Sequence, residues 1–254
     1  MQHIVICGYP RAGTTLFYNM LHTTVSNHHM LSRESHAAWI IGRHPSAWIT
    51  KRPLDIFEID AIRAANTYGK RLHVIIMVRD PRSLVVSRHQ SVPDDYFIGW
   101  DRQYFVDGDR IERSNPGIVQ IHNAIAKTQA RGDLDSVRIL RFEDLVADPE
   151  GVQAELGREL GLEYRGRFSD FHRADVPEDL RLALNGLRPV DPTALTRWRR
   201  PEHRERVLEQ FSACPALFDL LEQYGYESDR RWWDALWKEA DSASSLSNRI
   251  TTVM

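Results

Sequence analysis

His3-Ile4-Val5-Ile6-Cys7-Gly8-Tyr9-Pro10-Arg11-Ala12-Gly13-Thr14-Thr15-Leu16-Phe17-Tyr18-Asn19-Met20-Leu21 reads as a buried strand, a tight glycine-bearing loop and a helix, in that order. Ile4, Val5 and Ile6 form a short unbroken apolar run, the pattern of a parallel strand covered on both faces. Gly8 and Gly13 bracket the turn. Thr14 and Thr15 open a helix whose first amides have no intrahelical acceptor and point back into the loop. Those amides and the positive end of the helix dipole converge on one spot, which suits an anion. The nucleoside-triphosphate form of this loop is G-x-x-x-x-G-K-[ST]. Here the glycine spacing is kept and Thr14 stands where the lysine would be. A lysine there reaches the β- and γ-phosphates, so its absence argues against an ordinary ATPase or GTPase. The cation comes earlier, at Arg11.

Working outward, 254 residues suit a single α/β domain, read as 1–240 with a flexible, serine-rich tail over 241–254. An apolar content of 42%, a charged content of 27% and a net charge of −2 exclude a disordered or fibrous chain. They also give no bulk positive field for nucleic acid. Two cysteines, Cys7 and Cys214, read as reduced thiols of a cytoplasmic protein. There is no apolar run of about 18 residues and no cationic segment before the first strand, so neither a membrane span nor a signal peptide is expected.

After a helix over about 14–22, His28 to Ser35 is read as entering a second strand that ends in polar residues, with apolar Ala37 to Ile41 beyond. Glu34 and His36 at such a strand end are candidates for acid–base work. The plainer alternative is a solvated turn in which Ser35 caps a helix. Ala47 to Thr50 lead to Lys51-Arg52-Pro53, and Lys51 at that strand end is either functional or a surface snorkeller. Residues 56–67 have helical spacing, with Ile56, Ile59 and Ile62 facing the sheet. Leu72 to Val78 is the strongest strand, hence central, and runs into Arg79-Asp80-Pro81-Arg82 with Ser87 on the following helix. Arg79 and Ser87 could converge on one anion; alternatively, Asp80 caps the helix and Arg79 pairs locally.

Residues 91–115 lose periodicity and gather Tyr96, Trp100, Tyr104 and Phe105, the makings of a substrate wall or lid. A helix over 116–131, a strand over Asp135 to Phe142, the segment Glu143-Asp144-Leu145 and a helix from Pro149 to Leu160 stopped by Gly161 follow. The last third reads as helical, with helices over 202–212 and 215–224. Arg197 to Arg200 form its densest cationic spot, around a Trp198 ring that a purine could stack against. A solvated charged face is the alternative. Trp232, Trp233 and Trp237 lie at helical spacing and are expected to pack onto the body.

Four of these pieces together resemble the sulfotransferase family that uses 3′-phosphoadenosine 5′-phosphosulfate (PAPS). Tyr9-Pro10-Arg11-Ala12-Gly13-Thr14-Thr15 is similar to its 5′-phosphosulfate loop, and Arg79-Asp80-Pro81-Arg82 with Ser87 to its 3′-phosphate motif. Phe142-Glu143-Asp144-Leu145 with Asp148-Pro149 resembles its Tyr/Phe-Glu-Asp-Leu segment, and Arg197-Trp198-Arg199 the C-terminal segment that closes over the nucleotide. The resemblance implies a bacterial-type enzyme with a three-layer α/β/α fold, a mostly parallel central sheet, a P-loop-like phosphate site and a helical C-terminal part. It implies PAPS as co-substrate and adenosine 3′,5′-bisphosphate (PAP) as product, with no metal required.

By the same resemblance Arg11 and Lys51 would lie near the sulfate and its bridging oxygen. Pro10, Arg11, Ala12, Gly13, Thr14 and Thr15 would form the 5′ loop, Arg79 and Ser87 would hold the 3′-phosphate, and Arg197, Trp198 and Arg199 would finish the pocket. The small-molecule branch carries its base in a Lys-Thr-His-x-Pro segment, whose histidine falls here on Pro53. The glutamate-using branches point to Glu34, in Arg33-Glu34-Ser35, with His36 and His89 in reserve. The implied partner is a hydroxyl acceptor, a sugar or glycan before a phenol or natural-product intermediate, with no nucleic acid and no integral membrane. The rivals are a small-molecule P-loop kinase and a non-catalytic nucleotide-binding module.

Overall fold

The apolar run of the opening stretch is β1 (Gln2–Gly8), buried along its whole length. It belongs to a computed structural model that describes residues 1–87, 98–105, 111–174, 178 and 187–239. Two compact units emerge, one of residues 1–79 and 121–192, the other of residues 80–120 and 193–254.

The first unit continues with α1 (Thr14–Thr24), β2 (His29–Met30), α2 (Ala37–Ile41), β3 (Trp48–Lys51), a 3₁₀ turn over Pro53–Phe57, α3 (Ile59–Ala64) and β4 (Arg71–Val78). α4 (Pro81–Val85) and the antiparallel strands β5 (Arg102–Phe105) and β6 (Ile111–Asn115) follow in the second unit. α5 (Ile118–Gln129) leads back to β7 (Ser136–Arg141), α6 (Phe142–Ala147) and α7 (Pro149–Leu160). The sheet of the first unit has the order β2-β3-β1-β4-β7, with every pairing parallel. From β1 the chain passes through α1 toward the β2–β3 side and returns past β1, through α2 and α3, to β4. Right-handed crossovers put α1 on one face and α2 with α3 on the other. The packing agrees: α2 lies against α3, and α1 meets the 3₁₀ turn Phe168–Arg173, which α7 also meets. The architecture is therefore three-layer α/β/α.

Burial on both faces explains the sequence of the central strands. Ile4, Val5, Ile6, Val74, Ile75, Ile76 and Met77 are almost wholly buried, and Ile56, Ile59 and Ile62 face inward as expected. The pairing sets Ile6 beside Lys51 and Gly8 beside Met77, so three adjacent strands deliver their carboxyl ends to one edge. The strand order reverses around β1, the place where open α/β sheets bind ligands.

Four local expectations change. The second strand has two residues, because the polar run Ser32 to Ser35 leaves the sheet. The residue capping α2 is His36 rather than Ser35, and the first amide of α2 is bonded by Asp55. The segment after Pro53 divides into a 3₁₀ turn and α3 instead of one helix, and Phe142 opens a helix of its own.

In the second unit Asp80 caps α4 by accepting from the Arg82 amide at 2.8 Å. Arg82 is buried, bonded to the Asp80 carboxylate and to Glu227. Its guanidinium lies 3.9 Å from the Trp198 ring centre and 4.7 Å from that of Trp232. Around it α8 (Arg204–Ala213), α9 (Ala216–Gln223) and α10 (residues 231–239) bring Phe211, Phe218, Trp232 and Trp233 edge to face. Among the described residues no helix is long and apolar enough to cross a membrane.

Candidate functional site

The loop after β1 is shaped by backbone conformations that few residues tolerate. Gly8 has φ 117°, and a β-carbon there would stand 2.3 Å from the Met77 carbonyl oxygen. Tyr9 N–H donates to that oxygen at 3.1 Å, and Ala12 N–H closes the turn onto the Tyr9 carbonyl at 3.2 Å. Arg11 takes a left-handed φ of 67° and Gly13 one of 84°. Such alternation turns neighbouring amides toward one side and makes an anion nest. Gly13 occupies the capping position of α1 and has no side chain to cap with, so the first-turn amides are left for the loop.

Lys51 ends β3 with only 4% of its surface exposed, so it is not a surface snorkeller. Its Nζ donates to Glu34 Oε2 at 2.7 Å and to Thr15 Oγ1 at 3.2 Å. Three residues singled out from sequence thus meet at one ammonium, each from a different part of the first unit. A buried ammonium requires such partners. The Glu34 side chain, at 49% exposed, keeps an open side toward solvent.

Behind this group lies Asp55, 1% exposed. Its Oδ2 accepts from Ala37 N–H at 2.9 Å and its Oδ1 from Arg52 Nη1 at 3.0 Å, while His36 Nδ1 stands 3.9 Å away. Burial pushes the Asp55 carboxyl up, against the pull of those bonds. His36 stacks on Trp39 at 4.1 Å between ring centres, and Trp39 is 61% exposed.

Arg79, just past β4, donates through Nη1 to the Arg11 carbonyl at 3.1 Å and lies 4.2 Å over the Phe142 ring. That ring also walls the loop, because a β-carbon on Gly13 would come 2.5 Å from Phe142 Cδ2. Nothing in the sequence assigns Phe142 a task within its motif, and nothing marks Asp55 or Trp39. A buried carboxylate and an exposed ring look like any other Asp and Trp until the chain is folded.

The remaining expected site residues belong to the second unit. Ser87 follows α4, its amide donating to the Leu84 carbonyl at 3.0 Å. Arg197, Trp198 and Arg199 form a 3₁₀ turn. Trp198 is 4% exposed, covered by the Arg82 guanidinium and set edge-on to Trp232. His89 lies outside the described residues, as do 241–254. Among the described residues no group of three or more His, Cys, Asp or Glu could hold a metal ion.

The family model described as "Sulfotransferase family" matches residues 23–166, a span that holds Glu34, Lys51, Arg79 and Ser87 and begins after the phosphate loop. A search of curated proteins gives no match. Among solved structures, the chain is similar to the "Sulfotransferase Domain from the Synechococcus PCC 7002 Olefin Synthase" at 14% identity and a TM-score of 0.52, covering 83% of this chain and 94% of that one. It is also similar to the "Sulfotransferase Domain from the Curacin Biosynthetic Pathway" at 13% identity and a TM-score of 0.50, covering 83% and 97%. At such identities the likeness is one of fold.

Proposed function

This chain belongs to the sulfotransferase family, and from that premise we propose that it moves a sulfuryl group from PAPS to a hydroxyl of a carbohydrate acceptor. The observation that carries the reading is the meeting of Lys51 Nζ with Thr15 and Glu34 beside the amide-lined loop. The donor set fits a phosphosulfate: backbone amides at a helix start, two threonine hydroxyls, Arg11 and a buried ammonium. When bound, PAPS supplies an activated sulfuryl group for in-line displacement, close kin to phosphoryl transfer.

Glu34 then takes the proton of the acceptor hydroxyl as its oxygen bonds to sulfur and the bond to the bridging oxygen breaks. Lys51 and Arg11 oppose the charge that grows on the sulfuryl and bridging oxygens. Arg79, braced by the Arg11 carbonyl and the Phe142 ring, presents a fixed guanidinium for the 3′-phosphate. Ser87, Arg197 and Arg199 enter this reading through sequence resemblance. The exposed Trp39 ring, stacked on His36 two residues beyond Glu34, offers a flat apolar face of the kind a pyranose or a phenol can cover.

Calorimetry with PAP and with ATP tests the donor. The expected result is PAP binding without added metal and markedly weaker ATP binding; the reverse preference would indicate a kinase. A screen of sugar, phenolic and natural-product hydroxyls with labelled PAPS tests the acceptor. PAP binding without transfer to any of them would leave a nucleotide-binding module.

A further inference from the structure

We propose that Asp55 is a positioning residue for the transfer step, a buried clamp that holds the Glu34 segment against the Lys51 strand end. The inference rests on the reading of Glu34 as base. Asp55 touches neither of the two reacting side chains, yet its hydrogen bonds end beside both. Arg52, which donates to Oδ1, directly follows Lys51, and Ala37, whose amide donates to Oδ2, lies three residues past Glu34. His36 lies 3.9 Å away on the same carboxylate.

β2 pairs with β3 as far as Met30, and past it Asp55 joins the polar run to the strand end. Besides the Glu34–Lys51 pair itself, Ser35 N–H reaches the Lys51 carbonyl at 3.3 Å, a long bond. The partner segment is firm, because Arg52 N–H donates to the Ile6 carbonyl of β1 at 3.1 Å. One carboxylate therefore transmits the rigidity of the sheet to a polar run that left it. A charge buried to 1% exposure is costly, and here its bonds compensate by fixing the approach of a half-exposed glutamate to a buried ammonium. α2 is only five residues long and has no side-chain cap from its own His36, so its first amide depends on this carboxylate.

Asp55→Ala and Asp55→Asn in the full chain test the clamp through three readouts: kcat and KM with saturating partners, PAP affinity by calorimetry, and amide exchange at Ser35 and Ala37. Misplacing a reacting group by about 1 Å can cost about 100-fold, so Asp55→Ala should lower kcat about 100-fold, with KM for PAPS and PAP affinity within about twofold. Asp55→Asn keeps an oxygen for the Ala37 amide and should recover to about a tenth of the native kcat. If Asp55→Ala does not fold, Asp55→Asn shows the same split between kcat and KM. Exchange at Ala37 should quicken in both variants, more in Asp55→Ala.

A kcat near the native value in both variants overturns the inference. So does a parallel fall of PAP affinity and kcat, which would mark a general structural role, or unchanged exchange at Ala37. If the native chain transfers no sulfuryl group, the proposed function fails on that result, and the exchange at Ala37 still decides whether the clamp exists.

Discussion

Lys51 carries two demands that point different ways. Its ammonium is almost wholly buried, while its partner Glu34 is half exposed, so the pair is neither a surface ion pair nor a sealed one. Replacing one member of a sealed pair strands the other, but Glu34 can return to water. Lys51→Met, which fills a similar volume, should therefore change the stability to urea by no more than about 1 kcal/mol. Sulfuryl transfer in the same variant should fall about 100-fold or more, through loss of a charge aimed at the reacting oxygens. Glu34→Gln separates base from scaffold, since its amide oxygen can still accept from Lys51. PAP affinity should stay unchanged, while transfer falls about 10²- to 10⁴-fold, the range for a lost general base. A Glu34→Gln enzyme with native turnover would remove Glu34 from the mechanism. That Lys51 ends a strand was readable in the sequence, because Pro53 follows the apolar run two residues later. Asp55 was not, because nothing in Arg52-Pro53-Leu54-Asp55 foretells a carboxylate folded back beneath a helix start.

At the scale of elements, β1, the loop and α1 follow from an apolar run, two glycines at fixed spacing and two threonines. The two glycines differ in what surrounds them. The space at Gly8 is closed by Met77 backbone, which cannot step aside, whereas at Gly13 it is closed by the Phe142 side chain. Gly8→Ala should fail to fold or lose at least about 3 kcal/mol of stability by urea unfolding. Gly13→Ala should lose less, about 1 to 3 kcal/mol, and should weaken PAP because the loop shifts with the ring. Equal losses would show that backbone conformation rather than space governs both sites. β4 and α7 were legible for the same reason as β1: each is bounded by residues with a steric or capping reason to end it. β2 was overextended, since a polar run beside a strand can be held by a side chain some twenty positions away, between Ala37 and Asp55.

Across the whole molecule, sensitivity to acid resides in the scaffold. His3 is fully buried near the start of β1, away from the loop, with Nε2 bonded to Thr50 Oγ1 at 2.9 Å. Its Nδ1 is buried without a hydrogen-bond partner among the described residues. Burial first, then the charges of Lys70 and His28, push its pKa from 6.5 down to about 3, and His28 is pushed down to about 4, chiefly by burial. The unfolded chain takes up these protons at higher pH than the folded one, so the stabilisation is full above pH 6.5 and drains as pH falls toward those values. The urea midpoint should drop steadily between pH 6.5 and about 4, and His3→Gln should flatten the slope; the loss from His3 is on the order of 3–5 kcal/mol at the acid end. The helices over 204–213 and 216–223 were legible from their spacing, but the cover of Trp198 by Arg82 was not, because nothing in the sequence pairs positions 82 and 198. The Phe142 ring has a different consequence. It is wall to a glycine α-carbon on one strand's loop and floor to a guanidinium on the next strand's end, so its size is fixed by two neighbours at once. A chain that diverges at this position can change ring for ring, but a smaller residue would loosen the loop at Gly13 and the Arg79 guanidinium in one step. Positions 13, 79 and 142 should therefore drift together or not at all.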